Sequence, residues 1–157
     1  MPKEIERKFL VIDDSWKIFT VGKVKLKQAY ITENEICIVR VRTSDKKAWL
    51  TVKGRQTGFT RPEFEYQIPV DDAEEMLEKF SPDRQIIKTR FFINYHGNEW
   101  TVDVFENNNA GLVVAEIELE NENQTFDLPP WVGKDVSSDF KYANSSLAEY
   151  PYNKWKE

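Results

Sequence analysis

Residues 3–11 read KEIERKFLV. Within EIERK, Glu4, Glu6 and Lys8 stand at every second position, with Ile5, Arg7 and Phe9 beside them. Alternate residues of an extended strand share a face. The stretch therefore predicts a strand carrying two carboxylates and an ammonium in a row on one side. A single row of this kind is the solvated face of an ordinary strand. Its meaning changes if the other strands carry rows as well.

They do. IVRVR sets Arg40 and Arg42 opposite Val39 and Val41, and WLTVKG sets Thr51 and Lys53 opposite Leu50 and Val52. RPEFEYQI sets Arg61, Glu63 and Glu65 opposite Phe64 and Tyr66. IIKTRFFI sets Lys88 and Arg90 opposite Ile87 and Phe91, while TVDVF sets Asp103 opposite Val102 and Val104. VAEIELE aligns Glu116, Glu118 and Glu120 against Ala115, Ile117 and Leu119. Solvated strand faces usually mix Thr, Ser, Gln and Lys; these are clean doublets of long acids and bases. A closed barrel with the charges pointing inward explains the set better than a sandwich with charged faces in water. The apolar faces then need cover from helices or from a second subunit.

Period-two segments are predicted near 3–11, 23–32, 35–43, 47–54, 60–69, 85–95, 99–106 and 112–121. Turn formers separate them: Glu33-Asn34, Ser44-Asp45, Gly54 and Gly58, Gly97-Asn98 and the run 107–111. DDAEEMLEKF (71–80) reads as a helix, with acids in its first turn, Met76, Leu77 and Phe80 at helical spacing, and Pro82 beyond it. DSWKIF (14–19) reads as one or two helical turns. SSDFKYANSSLAEY (137–150) reads as a C-terminal helix with a break near Asn144. The fold class expected is mainly β with a few flanking helices: consecutive antiparallel strands in a meander, eight of them able to close into a barrel.

The bulk numbers agree with one domain over 1–157, since 157 residues suffice for a core. Charged residues make up 31%, above the usual quarter, as charge used inside as well as outside requires. A net charge of -5 argues against a general nucleic-acid binder. Cys37 is the sole cysteine, which excludes an internal disulfide framework and a cysteine zinc cluster. No apolar run is long enough to span a membrane or serve as a secretory signal, so a cytoplasmic location with no membrane partner is expected.

An interior of this kind is costly unless its charges are paired. Acids (Glu4, Glu6, Glu63, Glu65, Asp103, Glu116, Glu118) and bases (Lys8, Arg40, Arg42, Lys53, Lys88, Arg90) are nearly matched. Apolar residues of similar size would serve stability as well or better, so stability is a poor reason to build it. A lumen with one basic and one acidic wall suits a polyanion that carries a divalent metal.

The series resembles the CYTH superfamily, the triphosphate tunnel metalloenzymes, in their short single-domain bacterial form. EIERK is similar to the family's ExExK signature. The resemblance continues in order through RVR (Arg40, Arg42), TVKG (Lys53), RPEFE (Arg61, Glu63, Glu65), KTR (Lys88, Arg90), DVFE (Asp103) and AEIELE (Glu116, Glu118). The ending KDVSSDFKYANSSLA resembles the family tail at Asp139, Tyr142, Asn144 and Leu147. The resemblance implies an eight-stranded antiparallel tunnel whose bases hold a linear triphosphate and whose glutamates bind Mg²⁺ or Mn²⁺. Family activities include hydrolysis of tripolyphosphate, thiamine triphosphate and RNA 5′-triphosphates, and, in class IV adenylyl cyclases, conversion of ATP to cyclic AMP. Tripolyphosphate is the expected substrate, with ATP and thiamine triphosphate as alternatives.

Carried onto this chain, the resemblance makes Lys8, Arg40, Arg42, Lys53, Lys88 and Arg90 the substrate-binding set. Arginines there offer planar forks and lysines point charges. Glu4, Glu6, Glu116 and Glu118 are the expected metal ligands, with Glu63, Glu65 and Asp103 on a second ion. Glu65 and Asp103 serve equally well as counter-ions to the bases. Oxygen-only ligation favours Mg²⁺ or Mn²⁺ over zinc. The catalytic set is Glu4, Glu6, Lys8, Arg42 and Glu63; phosphoryl transfer asks for positioning and electrostatics, and no nucleophilic triad is evident. Tyr30 either offers its hydroxyl to a phosphate or packs. Arg61 and Glu120 read as outer salt-bridge residues, His96 as a hairpin-turn residue, and the tryptophans as packing or edge residues. The 137–150 helix is expected to close one mouth and to bring Lys134 or Lys141 near the substrate. The apolar remainder of the barrel surface offers a face for a homodimer.

Overall fold

The computed structural model describes residues 2–155. The alternation in KEIERKFLV is realised as β1 (Lys3–Val11). It is followed by β2 (Thr20–Glu33), β3 (Cys37–Thr43), β4 (Ala48–Gly54) and β5 (Thr60–Ile68). Helix α1 (Val70–Phe80) leads to β6 (Ile86–Tyr95), β7 (Asn98–Phe105) and β8 (Val113–Glu118). A short β9 (Val132–Asp135) and helix α2 (Asn144–Glu149) complete the order.

All pairings are antiparallel. The sheet runs β5-β4-β3-β2-β6-β7-β8-β1-β9, and a further β5–β1 pairing closes the first eight strands into a ring. The tunnel expected from the charge rows is therefore present, but its strand order is not a simple meander. Two meanders, β2–β5 and β6–β8, join through β2–β6, and β1 fills the gap between β8 and β5. The reason lies in the connections. After β1 the 3₁₀ turn Ser15–Phe19 carries the chain past β1's neighbours and buries Trp16, whose ring sits 5.0 Å from that of Phe91. After β5, α1 carries it across the outside of the barrel.

Register settles the orientation of the rows. Glu6 faces Glu118 and Lys8 faces Glu116; Gln28 faces Arg42; Lys53 faces Glu63; Arg90 faces Asp103. Directly opposed residues share a face, so the ionisable rows converge on one side of the closed sheet, the inside. The apolar faces lie outside and are covered in two places. Ala73 and Leu77 of α1 pack on Ala29, Val41 and Ala48. Trp16 and the segment 119–131, with Leu119, Phe126 and Trp131, pack on Ile5, Phe9, Trp100, Val102 and Ile117. A third cluster lies within the barrel at one end. There Leu10, Ile86, Phe105 and Val114 meet Tyr142 and Leu147 of the tail.

The tail itself differs from the expected 137–150 helix. Only Asn144–Glu149 is α-helical, after a 3₁₀ turn at Phe140–Tyr142. Upstream, the tail is bonded to β1 and to its own side chains in place of helical partners: the Val136 amide donates to the Lys8 carbonyl at 2.8 Å and the Ser137 amide to Asp135 Oδ1 at 2.9 Å. Ser137 Oγ accepts from the Lys8 amide at 2.8 Å, and Asp139 accepts from the Lys141 amide at 3.2 Å. Strand β9, which sequence periodicity does not signal, is a four-residue pairing on β1 through Phe9↔Asp135 and Val11↔Val132. It takes the edge of β1 beyond the point where β5 leaves it. The hairpin at His96-Gly97 has positive φ at both residues (51° and 82°), the geometry of a tight two-residue turn, so His96 is the turn residue expected. Among the described residues no helix is long and apolar enough to cross a membrane.

Candidate active site

A cavity of about 770 Å³ occupies the barrel interior. It is lined by Glu4, Glu6, Lys8, Arg40, Arg42, Lys53, Glu63, Glu65, Lys88, Arg90, Glu116 and Glu118, which is every predicted site residue but Asp103. Such a volume is ample for a triphosphate. Tyr30, Arg61 and Glu120 also line it. Arg61 and Glu120 are thus not outer salt-bridge residues. The β1–β5 pairing sets Arg61 opposite Glu4 on the inner face, where it donates to Gln56 Oε1 at 3.1 Å. Lys134 and Lys141 do not reach the lumen; Lys141 Nζ lies 4.7 Å from the Trp155 ring centre.

Asp103 sits behind the lining, 1% exposed. Its Oδ1 accepts from Arg90 Nε at 2.8 Å, and its Oδ2 accepts from Arg90 Nη2 at 2.9 Å and Lys88 Nζ at 2.7 Å. Burial alone would raise its pKa, but Arg90 and Lys88 outweigh burial and hold the carboxyl well below the usual range. With both oxygens engaged, Asp103 is placed as a counter-ion that aims two bases into the tunnel. Lys88 Nζ makes a further bond to Asn144 Oδ1 at 2.9 Å, tying the basic wall to the start of α2. Burial, with Arg90 and Arg42 alongside, pulls the Lys88 pKa down to about 7, although Asp103 opposes this.

The other bases are paired as well. Lys8 lies 3.4 Å from Glu116, whose other oxygen is 3.6 Å from Arg90. Burial pulls the Lys8 pKa down, yet Glu116, Glu6 and Asp103 more than reverse this and leave it raised. Lys53 spans Glu4 at 3.1 Å and Glu63 at 3.6 Å. Arg40 contacts Glu65 at 3.2 Å, with Thr51 accepting from the same nitrogen at 3.1 Å. Arg42 differs: its Nε donates to Gln28 Oε1 at 2.7 Å, and among the described residues it has no carboxylate partner within salt-bridge distance. Burial, with Arg40 and Arg90, pushes its pKa down to about 9, so it remains charged at neutral pH.

The acidic wall shows the opposite imbalance. Burial, then Glu116 and Glu4, push Glu6 up to about 8. Burial and Glu4 raise Glu63; burial, Glu4 and Glu63 raise Glu118. A set of carboxylates that raise one another's pKa is a set short of positive charge, and its oxygen-only chemistry fits a hard divalent cation. Among the described residues no three acids are preassembled in metal-ligating geometry. Glu4 and Glu63 are drawn to Lys53, and Glu116 to Lys8 and Arg90.

Three uncharged residues support this site without standing in the predicted site set: Gln28, which sequence reasoning missed, Thr51, placed only by its face, and Asn144, placed only in the tail. Gln28 and Thr51 share the inward parity of Tyr30 and Lys53 on their strands, and that parity was the available signal. Asn144 depends on how the tail folds back, which alternation along a strand does not reveal.

The matching family model is described as the CYTH domain and spans residues 2–150. The chain belongs to this family, whose fold is the antiparallel tunnel described above. The inorganic triphosphatase of Acetivibrio thermocellus is 45% identical over 157 residues, covering 100% of both chains. The inorganic triphosphatase of Nitrosomonas europaea is 35% identical over 149 residues, 92% of this chain and 96% of that one. A crystal structure of an inorganic triphosphatase superposes with a TM-score of 0.66 at 32% identity, covering 94% of this chain and 95% of the other.

Proposed function

We propose that this protein is a divalent-metal-dependent hydrolase that cleaves a terminal phosphate from inorganic tripolyphosphate. The observation that carries the reading is the pairing of two opposed walls within one cavity. Arg40, Arg42, Lys53, Lys88 and Arg90 lie on β3, β4 and β6, and the carboxylates on β1, β5 and β8, where Lys8 and Arg61 stand among them. The full-length similarity to a relative named inorganic triphosphatase supports the choice of substrate.

Arg40, Arg42 and Arg90 present guanidinium forks to the phosphate chain, and Lys8, Lys53 and Lys88 add point charges along it. Glu4, Glu6, Glu116 and Glu118 are the proposed ligands of Mg²⁺ or Mn²⁺, with Glu63 and Glu65 toward a second ion. A bound divalent ion supplies charge stabilisation at the phosphoryl oxygens. Ligand binding exchanges partners: carboxylates release their lysines, which turn to phosphate. The bases therefore do double duty, as counter-ions to the wall and then to the substrate. Glu6 or Glu63 orients the attacking water, and catalysis rests on positioning and preorganised charge.

Phosphate release measured with tripolyphosphate, ATP, GTP and thiamine triphosphate, with Mg²⁺ or Mn²⁺, tests this. Tripolyphosphate is expected to be turned over most efficiently, and addition of a chelator to stop the reaction. Formation of cyclic AMP from ATP without phosphate release from tripolyphosphate would overturn the reading in favour of a cyclase.

A further inference from the structure

Gln28 is 0% exposed on the inner face of β2, directly opposite Arg42. A buried amide is costly unless both its ends are bonded, and here both are. Its Oε1 accepts from Arg42 Nε at 2.7 Å, and its Nε2 donates to Tyr30 Oη at 2.7 Å. The amide's orientation follows from chemistry, because a guanidinium nitrogen can only donate.

Two consequences distinguish Arg42 from the other five bases expected to bind substrate. Pinning Nε fixes the plane of the guanidinium and leaves Nη1 and Nη2, the fork that matches a phosphate edge, unconstrained by Gln28. The partner is also a neutral dipole. Arg40, Arg90, Lys8, Lys53 and Lys88 each face a carboxylate, which a substrate must outcompete. Arg42 keeps its full charge for an incoming anion. On the other side, Tyr30 Oη is an acceptor from Gln28, so its own proton is available to a cavity that Tyr30 lines.

We propose that Gln28 is a positioning residue of the phosphate site: it holds Arg42 as a lumen cation with no carboxylate partner among the described residues and sets Tyr30 as a hydrogen-bond donor beside it. This rests on the triphosphatase reading. It adds that the anion site is built around a neutral amide rather than around an ion pair.

The test uses Gln28→Met, which keeps length but removes both hydrogen bonds, and Gln28→Glu, which keeps an acceptor for Arg42 but adds charge. Each is made in the wild-type and Arg42→Ala backgrounds. Binding of tripolyphosphate without metal is followed by calorimetry, and hydrolysis with Mg²⁺ by phosphate release. Gln28→Met is expected to weaken tripolyphosphate binding about tenfold and to raise KM more than it lowers kcat. Gln28→Glu is expected to weaken it at least as much despite its better acceptor. In the Arg42→Ala background the Met substitution is expected to cost much less than in wild type, leaving only the part carried by Tyr30. Wild-type affinity in Gln28→Glu overturns the proposal, since it would mean that neutrality is irrelevant. Effects of Gln28→Met that simply add to those of Arg42→Ala overturn it too, and mark Gln28 as a packing residue. Failure of the wild-type protein to bind or cleave tripolyphosphate is a separate result: it sinks the triphosphatase reading itself.

Discussion

Glu6 is where burial and charge conflict most directly. It stands between Glu116 and Glu4 in a buried setting, and its pKa is pushed up from 4.5 to about 8. At neutral pH the metal-free carboxyl is thus mostly protonated, and Gln at this position is close to an isostere of that form. Glu6→Gln is therefore expected to fold normally and to bind tripolyphosphate in the absence of metal about as well as wild type. Metal-dependent turnover should fall by about a hundredfold or more, because a neutral amide is a weaker ligand for a hard cation than a carboxylate and cannot accept a proton from water. Kinetics and metal-free calorimetry on one preparation check both halves. At this scale the charged residues were legible, since alternation assigns a long acid or base to a face without further information. Asp103 shows the limit. Its parity predicts an inward side chain, but the two bases that cover it stand on β6 and have further partners on β8 and in the tail.

Among the elements, β1 pairs with the most strands, three. It bonds to β8 along one edge and shares the other between β5 and β9. That division explains why the ring closes only over the first residues of β1, and why the tail then follows β1 into the barrel end. Helix α2 is a plug whose Leu147, 1% exposed, enters the cluster formed by Ile86, Phe105 and Val114. Leu147→Ala is expected to cost about 2–5 kcal/mol of stability, as other buried leucines do. It should also weaken tripolyphosphate binding, because Asn144 holds Lys88 from the first residue of the same helix. Denaturant unfolding and a binding titration check the pair of effects; lost stability with unchanged affinity would uncouple plug from site. The strands of the ring and α1 were legible because each holds a clear period of two or 3.6. Strand β9 and the tail were not. VGKD is too short to show a period, and Ser137 and Asp139 divert the backbone through bonds no helical pattern records.

For the whole molecule, the two walls set how stability depends on pH. Asp103 and Glu116 have depressed pKa values, so their contribution is present above the ordinary carboxylate range and lost as pH falls below it. Glu6 acts oppositely. Its folded pKa is raised, so the unfolded chain gives up that proton first, and stability declines as pH rises from 4.5. Near pH 7 the lowered pKa of Lys88 begins to reverse that slope, because the folded state then sheds a proton that the unfolded state retains. The metal-free protein is therefore expected to be most stable near about pH 5 and to weaken toward neutrality. Mg²⁺ or Mn²⁺ should restore the loss by stabilising ionised Glu6. Thermal unfolding across that range, with and without the ion, checks it. A flat profile that metal does not alter would mean the carboxylates are not a cation site.

The most direct measurement is a crystal structure with a slowly hydrolysed imido analogue of tripolyphosphate and Mn²⁺, the ion located by its anomalous scattering. The phosphates are expected inside the barrel against Arg40, Arg42 and Arg90. The manganese signal is expected among Glu4, Glu6, Glu116 and Glu118, with Lys53 and Lys8 turned from carboxylate to phosphate. An analogue bound on the outer surface, with the lumen ion pairs unchanged and manganese elsewhere, would contradict it.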